Sequence, residues 1–422
     1  MLGWLFSCCG PRPTRSLDVT GVEVVVDTSS TKSGTKWDKM GASGLKKALV
    51  DAVMIDAGWL ADLADRGGVL PRCQEVPASA RVALHEMEAW DREPHTVGVL
   101  VISYPWLERN HPDPHGEQLR KIAFVLKAFA KDAQQHAGCR VGVFWDYCSL
   151  PQKNLDGGDD RTDEEKARFG RVLKGGINVL YGHQKTFVLL VTTPLPTGHA
   201  YFNTQPYGGR GWCFAESVMS SIVKHSTALI DLGKLSGDEA LDALIVNGRS
   251  ERRPPIAPDA FHQMLRSGVG DGSIKFTNKG DVDVVAGIYE RAFLDEMSAA
   301  TSLYYLALGW GDAQVATLAT ALTYAHAKGA LPHCEKLLLS LNQIGDAGIT
   351  ALAQVIKPVS EGGSGALPQC ETLDLSQNHE IGDAGIAALA QAIKPVSEGG
   401  SGAMAQLEVS WHLTALIPCL ET

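Results

Sequence analysis

Three short constellations hold residue types that can do chemistry. Ser103 and Trp106 follow the apolar run Val99–Ile102. Asp146, Cys148, Ser149 and Gln152 follow the run Arg140–Trp145. Arg210, Trp212, Cys213 and Glu216 follow the run Phe187–Val191, after a loop rich in Pro and Gly. A carboxylate near an anomeric carbon can stabilise an oxocarbenium-like transition state, and the chemistry of Glu216 is compatible with that role. Trp212, four residues back and so on the same helix face, has a ring able to stack on a flat base. Asp146 is suited to binding ribose hydroxyls. Ser103, Trp106, Asp146, Ser149, Gln152, Arg210 and Trp212 are therefore the ligand-binding candidates. Each has a plainer reading. Glu216, expected in the first turn of its helix where the macrodipole favours a carboxylate, would also serve as a cap or as the ion-pair partner of Arg210. Trp106, Trp145 and Trp212 would serve as core. Cys148 and Cys213 are nucleophiles only with a His partner, and buried structural thiols are commoner. His111 and His115 read as loop residues, and no metal site is expected.

The elements that would position these residues alternate. Short apolar runs at Val99–Ile102, Arg140–Trp145, Phe187–Val191 and Ala228–Leu232 have the continuity of strands buried on both faces. Helical periodicity lies between them. Leu119, Ile122, Leu126, Phe129 and Ala133 follow an expected Asp113-Pro114 start. Phe169, Val172, Leu173, Ile177 and Leu180 follow a Thr162/Glu165 capping box, and a third helix is expected over Trp212–Val223. The alternation predicts an α/β fold, a flavodoxin-like parallel sheet flanked by helices, with all three constellations at the carboxyl ends of strands and converging on one cleft. Residues 45–66 have helical spacing, 235–300 form a helical tail, and Arg252–Pro258 reads as a turn or linker.

Trp212-Cys213-x-x-Glu216, opening a helix after a buried strand and a loop, resembles the Trp-Cys-x-x-Glu motif of Toll/interleukin-1 receptor (TIR) domains. The likeness covers roughly residues 97–234. In enzymatic members this glutamate serves hydrolysis of the nicotinamide–ribose bond of NAD, so the resemblance implies Glu216 as that carboxylate and NAD as substrate, with no resident cofactor. The three constellations together also resemble a group of algal and protist proteins and, more distantly, the fungal heterokaryon-incompatibility (HET) domain. There Ser-x-x-Trp, Trp-x-Asp-x-x-Ser-x-Pro-Gln and Arg-Gly-Trp-Cys-x-x-Glu occupy the same three places. The resemblance implies a TIR/HET-like domain that acts in signalling or stress and cell-death responses by self-association and partner binding, with NAD hydrolysis as the alternative.

From Cys334 the chain repeats itself. Cys334 and Cys370 are 36 positions apart and Gly345 and Gly382 are 37 apart. Each unit has a strand (Leu337 and Leu339; Leu373 and Leu375), an Asn (Asn342; Asn378) expected to satisfy backbone groups at the turn, and a helix opening at Gly-Asp-Ala-Gly. This looks like leucine-rich repeats of the ribonuclease-inhibitor type, longer than the usual unit by a loop at Pro358–Gly365. An earlier degenerate unit is expected near Leu303 with Gly311-Asp312 in its turn, and a fourth at Leu407–Val409. Such a short solenoid presents a surface for a protein partner. The apolar run Leu413–Leu420 lacks the Gly-Asp-Ala-Gly turn. It is expected to cover the last regular unit as an irregular helix, or to leave that end to fray or dimerise.

The 422 residues divide into a disordered segment (1–44), a helical lead-in (45–96), the TIR/HET-like unit with its helical tail (97–300) and the repeats (301–422). One short strand is conceivable at Val22–Val26. A net charge of −10 argues against a nucleic-acid partner. Nine cysteines without a CxxC pair suit reduced thiols in the cytoplasm. Met1–Pro11 has no basic leader, but Cys8 and Cys9 beside Trp4, Leu5 and Phe6 are lipidation candidates, an acyl chain there giving peripheral membrane contact. No GxxxxGK[ST], HExxH, GxSxG or kinase signature occurs.

Overall fold

A computed structural model describes residues 43–90, 97–278, 280–393 and 408–410. Cys8, Cys9, Val22–Val26 and Leu413–Leu420 lie outside the described residues. The first of two sheets contains β1 (Ile55–Asp56), β2 (Val99–Ser103), β3 (Gly142–Phe144), β4 (Phe187–Leu190) and β5 (Leu229–Asp231), in the order β1-β3-β2-β4-β5. Strands β2 to β5 are parallel, as the alternating pattern predicts. The edge strand β1 is antiparallel to β3 and was not expected. At two residues it is too short for any periodicity, and it sits between α1 (Ser43–Val50) and α2 (Ala57–Asp65), inside a stretch read as helix. Asp56 ends the strand by capping α2, its Oδ1 accepting the Gly58 N–H at 2.8 Å.

The strand side chains alternate between two cores. Leu100, Ile102, Val143, Phe187, Leu189 and Ile230 face one, and Val99, Val101, Phe144, Val188, Leu190 and Leu229 face the other. The first core is covered by α3 (Glu117–Ala137), which buries the predicted stripe from Leu119 to Ala133. The second is covered by α4 (Asp163–Gly175), α5 (Ile177–Gly182) and α6 (Gly211–Met219). The Thr162/Glu165 capping box is present: Glu165 N–H donates to Thr162 Oγ1 at 3.2 Å and Thr162 N–H to Glu165 Oε2 at 2.8 Å. Helix α3 starts later than predicted, because Gly116 takes a left-handed conformation (φ 66°) after the Pro114 turn. Asp113 still caps it from outside, accepting the Leu119 N–H at 2.8 Å. Helix α6 stops at Met219, short of Val223.

The helices α7 (Pro258–Asp271) and α8 (Asp281–Ala299) lead to a second, fully parallel sheet of β6 (Ser302–Tyr304), β7 (Lys336–Leu338), β8 (Thr372–Asp374) and β9 (Glu408–Ser410). Helices α9 (Asp312–Ala327), α10 (Asp346–Ile356) and α11 (Asp383–Ile393) follow β6, β7 and β8. Two ladders tie the units together. Asn342 Oδ1 accepts the Leu308 and Trp310 N–H groups at 2.9 and 3.1 Å, and its amide donates to Tyr305 and Leu339 carbonyls at 2.7 and 3.0 Å. Asn378 repeats the pattern one unit on. Asp312 Oδ1 accepts the Gly345 and Gly348 N–H groups at 2.7 and 2.9 Å, and Asp346 Oδ1 accepts those of Gly382 and Gly385 at the same distances. A Cβ at Gly348 or Gly385 would lie 2.7 Å from the accepting carboxylate oxygen, so the second Gly of each Gly-Asp-Ala-Gly is required for this approach.

The second core runs without a break from β2 through α7 and α8 to Leu303, Tyr305, Trp310 and Leu337. Arg252–Pro258, read as a turn or linker, is irregular up to Ala257 as expected, and Arg252 within it also acts as a brace. Arg252 is 2% exposed, and its guanidinium donates to the carbonyls of Tyr304 and Ser221. No described helix is long and apolar enough to cross a membrane.

The Asp ladder gives the first prediction. Asp346→Ala removes the acceptor of two partly buried N–H groups and should lower stability in urea unfolding by about 2 kcal/mol. Asp383 holds the same place in its helix but accepts no hydrogen bond from a described residue, so Asp383→Ala should cost less than about 0.5 kcal/mol. Equal losses would mean that the ladder adds nothing beyond the charge at each helix start.

Candidate functional site

Strand β2 lies between β3 and β4, and the chain leaves β2 for α3 on one face of the sheet and β4 for α6 on the other. The carboxyl ends of β2 and β4 therefore flank a topological switch point, where parallel sheets open a crevice. Ser103 ends β2 on the same face as Val99 and Val101, towards α6. Tyr104 falls on the α3 face, edge-on to Trp145 at 5.2 Å.

Each of these neighbours holds one carboxylate. Ser103 Oγ donates to Glu216 Oε2 at 2.5 Å and shares a second hydrogen bond with Tyr207 OH at 2.6 Å. Tyr181 donates to the Ile102 carbonyl at 3.0 Å. Burial pushes the Glu216 carboxyl up to about 8; the Ser103 hydrogen bond pulls against this, the Asp146 charge adds to it, and Tyr181 again opposes it. Two expectations change. Glu216 is the sixth residue of α6, beyond reach of the helix N-terminal charge, because the helix opens at Gly211. It is also not paired with Arg210, whose guanidinium donates to the carbonyls of Gln205, Trp106 and Asn203.

Asp146 hangs from Tyr104. Its Oδ1 accepts the Tyr104 hydroxyl and the Tyr147 N–H, each at 2.6 Å, and its Oδ2 accepts the Trp106 indole N–H at 3.0 Å. Burial raises its pKa, and these three donors oppose the rise. Both oxygens are thus engaged within the chain, unlike a carboxylate awaiting ribose. Ser149 Oγ accepts the Trp145 N–H at 2.9 Å, and Gln152 donates to the Asp146 and Leu150 carbonyls at 3.2 and 3.1 Å, so both brace the turn after β3. The structure brings Ser103, Trp106, Asp146, Ser149, Gln152, Arg210 and Glu216 to one end of the sheet. Trp212 differs: its indole donates to Asp281 Oδ2 at 3.0 Å and ties α6 to α8.

Tyr181 and Tyr207 belong to the cluster and were not singled out, and Tyr104, which follows the first apolar run, was not among the binding candidates. Tyr207, three residues before Arg210 in the Gly-rich loop, carried a positional signal; Tyr181, on a helix from another part of the chain, carried none. Cys213 donates to the Tyr104 carbonyl at 3.3 Å, and burial pushes the Cys148 and Cys213 thiols well up, which suits structural thiols. His111 accepts the Asp113 N–H, and His115 stacks on His199 at 3.6 Å. No group of three or more His, Cys, Asp or Glu among the described residues could hold a metal ion.

The long connection 191–210 crosses the crevice as a strap. Tyr201 OH donates to Glu117 Oε2 at 2.5 Å, Asn203 N–H donates to the Leu107 carbonyl at 3.1 Å, and Arg210 fastens the strap to Trp106. A groove of about 1080 Å³ lies outside it, along α3 beside Arg120, Phe124 and Leu235, and Glu216 does not line it.

The raised Glu216 carboxyl predicts a pH dependence of stability. An acid that ionises near the ordinary 4.5 when unfolded and near 8 when folded stabilises the fold fully below the lower value. That contribution falls as pH rises and is gone above about 8. Each pH unit in the window removes about 1.4 kcal/mol. Measured against Glu216→Gln, which keeps the shape and cannot ionise, the wild type should lose on the order of 3 kcal/mol between pH 5 and pH 8. Parallel stability curves would contradict the buried-acid geometry.

A family model described as Leucine Rich repeat matches residues 332–353 and 371–390, which contain β7, β8 and the starts of α10 and α11. No curated protein matches the chain.

Proposed function

We propose that this protein is a signalling scaffold in which a TIR/HET-like α/β unit carries a short leucine-rich-repeat solenoid, and that the outward face of the repeat sheet binds a protein partner. The observation that carries this reading is a contrast in how polar groups are used. At the end of the first sheet, Asp146, Arg210, Ser149 and Gln152 spend their hydrogen bonds on the chain itself. On the repeat sheet, Lys336 and Tyr304 are exposed beside the partly exposed Leu338, a mixed polar and apolar surface of the kind partners use. The repeat match supports an interaction role. Stress or cell-death signalling, self-association through the α/β unit, and a cytoplasmic location with Cys8 and Cys9 acylated at a membrane belong to the same proposal. Affinity capture with the full chain and with a Lys336→Glu, Leu338→Glu double variant tests it. Loss of the recovered partner in the variant is expected; an identical set of recovered proteins would count against the repeat face.

One observation favours a second reading, hydrolysis of the nicotinamide–ribose bond of NAD. Glu216 is a carboxyl group raised to about 8 at a strand switch point, hydrogen-bonded by the Ser103 hydroxyl, which in turn is bonded to Tyr207. Stabilising an oxocarbenium-like centre needs the ionised form. Nicotinamide release by the full chain should therefore rise with pH through about 8 and vanish in Glu216→Gln. No release across that range, or undiminished release by the variant, removes this reading.

A further inference from the structure

The helix that carries Glu216 is held at both ends by residues from outside the first sheet. At its start, Trp212 donates to Asp281 on α8. At its end, Ser220 Oγ donates back to the Glu216 carbonyl at 2.7 Å. The carbonyls of Ser221 and Ile222, just beyond the end of the helix, are taken by side chains from outside it. Ser221 O accepts from Arg252 Nη2 at 3.0 Å, and Ile222 O accepts from Tyr305 OH at 2.7 Å. Arg252 Nη1 donates to Tyr304 O at 2.7 Å, and Trp310 Nε1 donates to Arg252 O at 2.9 Å. Tyr305 stacks on Trp310 at 5.0 Å and lies beneath the Arg252 guanidinium at 5.1 Å. Tyr304, whose carbonyl Arg252 holds, ends β6 on the outward face of the repeat sheet, is 37% exposed and has its ring 6.0 Å from His225.

We infer that Tyr305 and Arg252 are positioning residues for Glu216: they fasten the trailing end of its helix to the first repeat strand, so that a protein partner seated against Tyr304 is felt at the Glu216 cluster. This rests on the reading of the repeat face as a partner surface and of the Glu216 cluster as a site. The route is short. It runs from Tyr304 through its own carbonyl to Arg252, then to Ser221, one residue beyond the serine that grips the Glu216 carbonyl. Of its hydrogen bonds, Arg252 to the Ser221 carbonyl is buried, and Arg252 to the Tyr304 carbonyl and Ser220 to the Glu216 carbonyl are partly buried; inside a protein a lost partner is costly. The groups facing Glu216 are the Ser103, Tyr181 and Tyr207 hydroxyls, with Cys213 and Asp146 nearby, so a small shift of the helix changes the surroundings of its carboxyl group. Coupling of this kind is reciprocal.

The test uses the full chain and two conservative variants, Tyr305→Phe, which keeps the ring and loses one hydrogen bond, and Arg252→Lys. Amide hydrogen exchange is measured over 216–222, and the Glu216 carboxyl is titrated by infrared difference against Glu216→Gln. Tyr305→Phe should speed exchange over 216–222 by about fivefold or more and move the Glu216 midpoint by about half a pH unit. In return, Glu216→Gln should change exchange over 304–307. A brace that is merely structural would lower Tm and leave the midpoint alone. If both variants keep the wild-type midpoint and wild-type exchange over 216–222, the inference is overturned. If the wild type shows no carboxyl titrating near 8, the reading of the Glu216 cluster fails. The exchange over 216–222 and over 304–307 then decides the coupling by itself.

Discussion

Strand β2 is hydrogen-bonded on both edges to parallel neighbours, so its last residue and the one that follows have no choice of face. Ser103 must turn to α6 and Tyr104 to α3. Each then recruits a carboxylate, Glu216 from α6 and Asp146 from the end of β3, and the two acids come to share one end of the sheet because their anchors are consecutive residues. A one-residue slip of β2 would exchange the two faces and dissolve both clusters. The strap over the crevice follows from the same placement, since Arg210 reaches the Trp106 carbonyl only because Trp106 is itself held by Asp146.

Two cationic groups buried between the two sheets donate to carbonyls and, for Lys224, to a hydroxyl as well. Arg252 takes the Ser221 and Tyr304 carbonyls. Lys224, fully buried, takes the His183 and Thr186 carbonyls and the Thr186 hydroxyl. Burial pulls the Lys224 amine down, and it pushes the Glu296 carboxyl, which attracts that amine, up. Burying such groups is costly unless they are satisfied, so they permit one docking of the repeats and penalise others. A repeat array that shares a core with the first sheet in this way is not a freely tethered extension.

Much of this was legible in the residues. Unbroken apolar runs marked β2 to β5 because a strand buried on both faces has no polar side to show. The near-copies around Asn342 and Asn378 marked the repeat turns because the same two ladders must recur in each unit. What escaped lacked a local signal. The strand β1 is too short for a period, and the left-handed Gly116 delayed α3 although Asp113 still caps it. Arg252 among prolines reads as linker until the carbonyls it serves are in place. In the site, residue types were the better guide to location than to role. Asp146, Arg210 and Gln152 came together as expected and proved occupied with the chain itself, and the tyrosines around Glu216 arrive from loops and helices far off in sequence.

The account turns on Glu216 being a neutral acid, its carboxyl partly buried at the end of β2, where desolvation outweighs the Ser103 hydrogen bond that favours the ionised form. The most direct measurement is the infrared spectrum of the full chain in the carbonyl region, taken as a difference against Glu216→Gln. The band of a protonated carboxyl should be present at neutral pH in the wild type, absent from the variant, and lost as pH rises through about 8. A carboxylate band already complete at pH 6, unchanged on further rise, would contradict it.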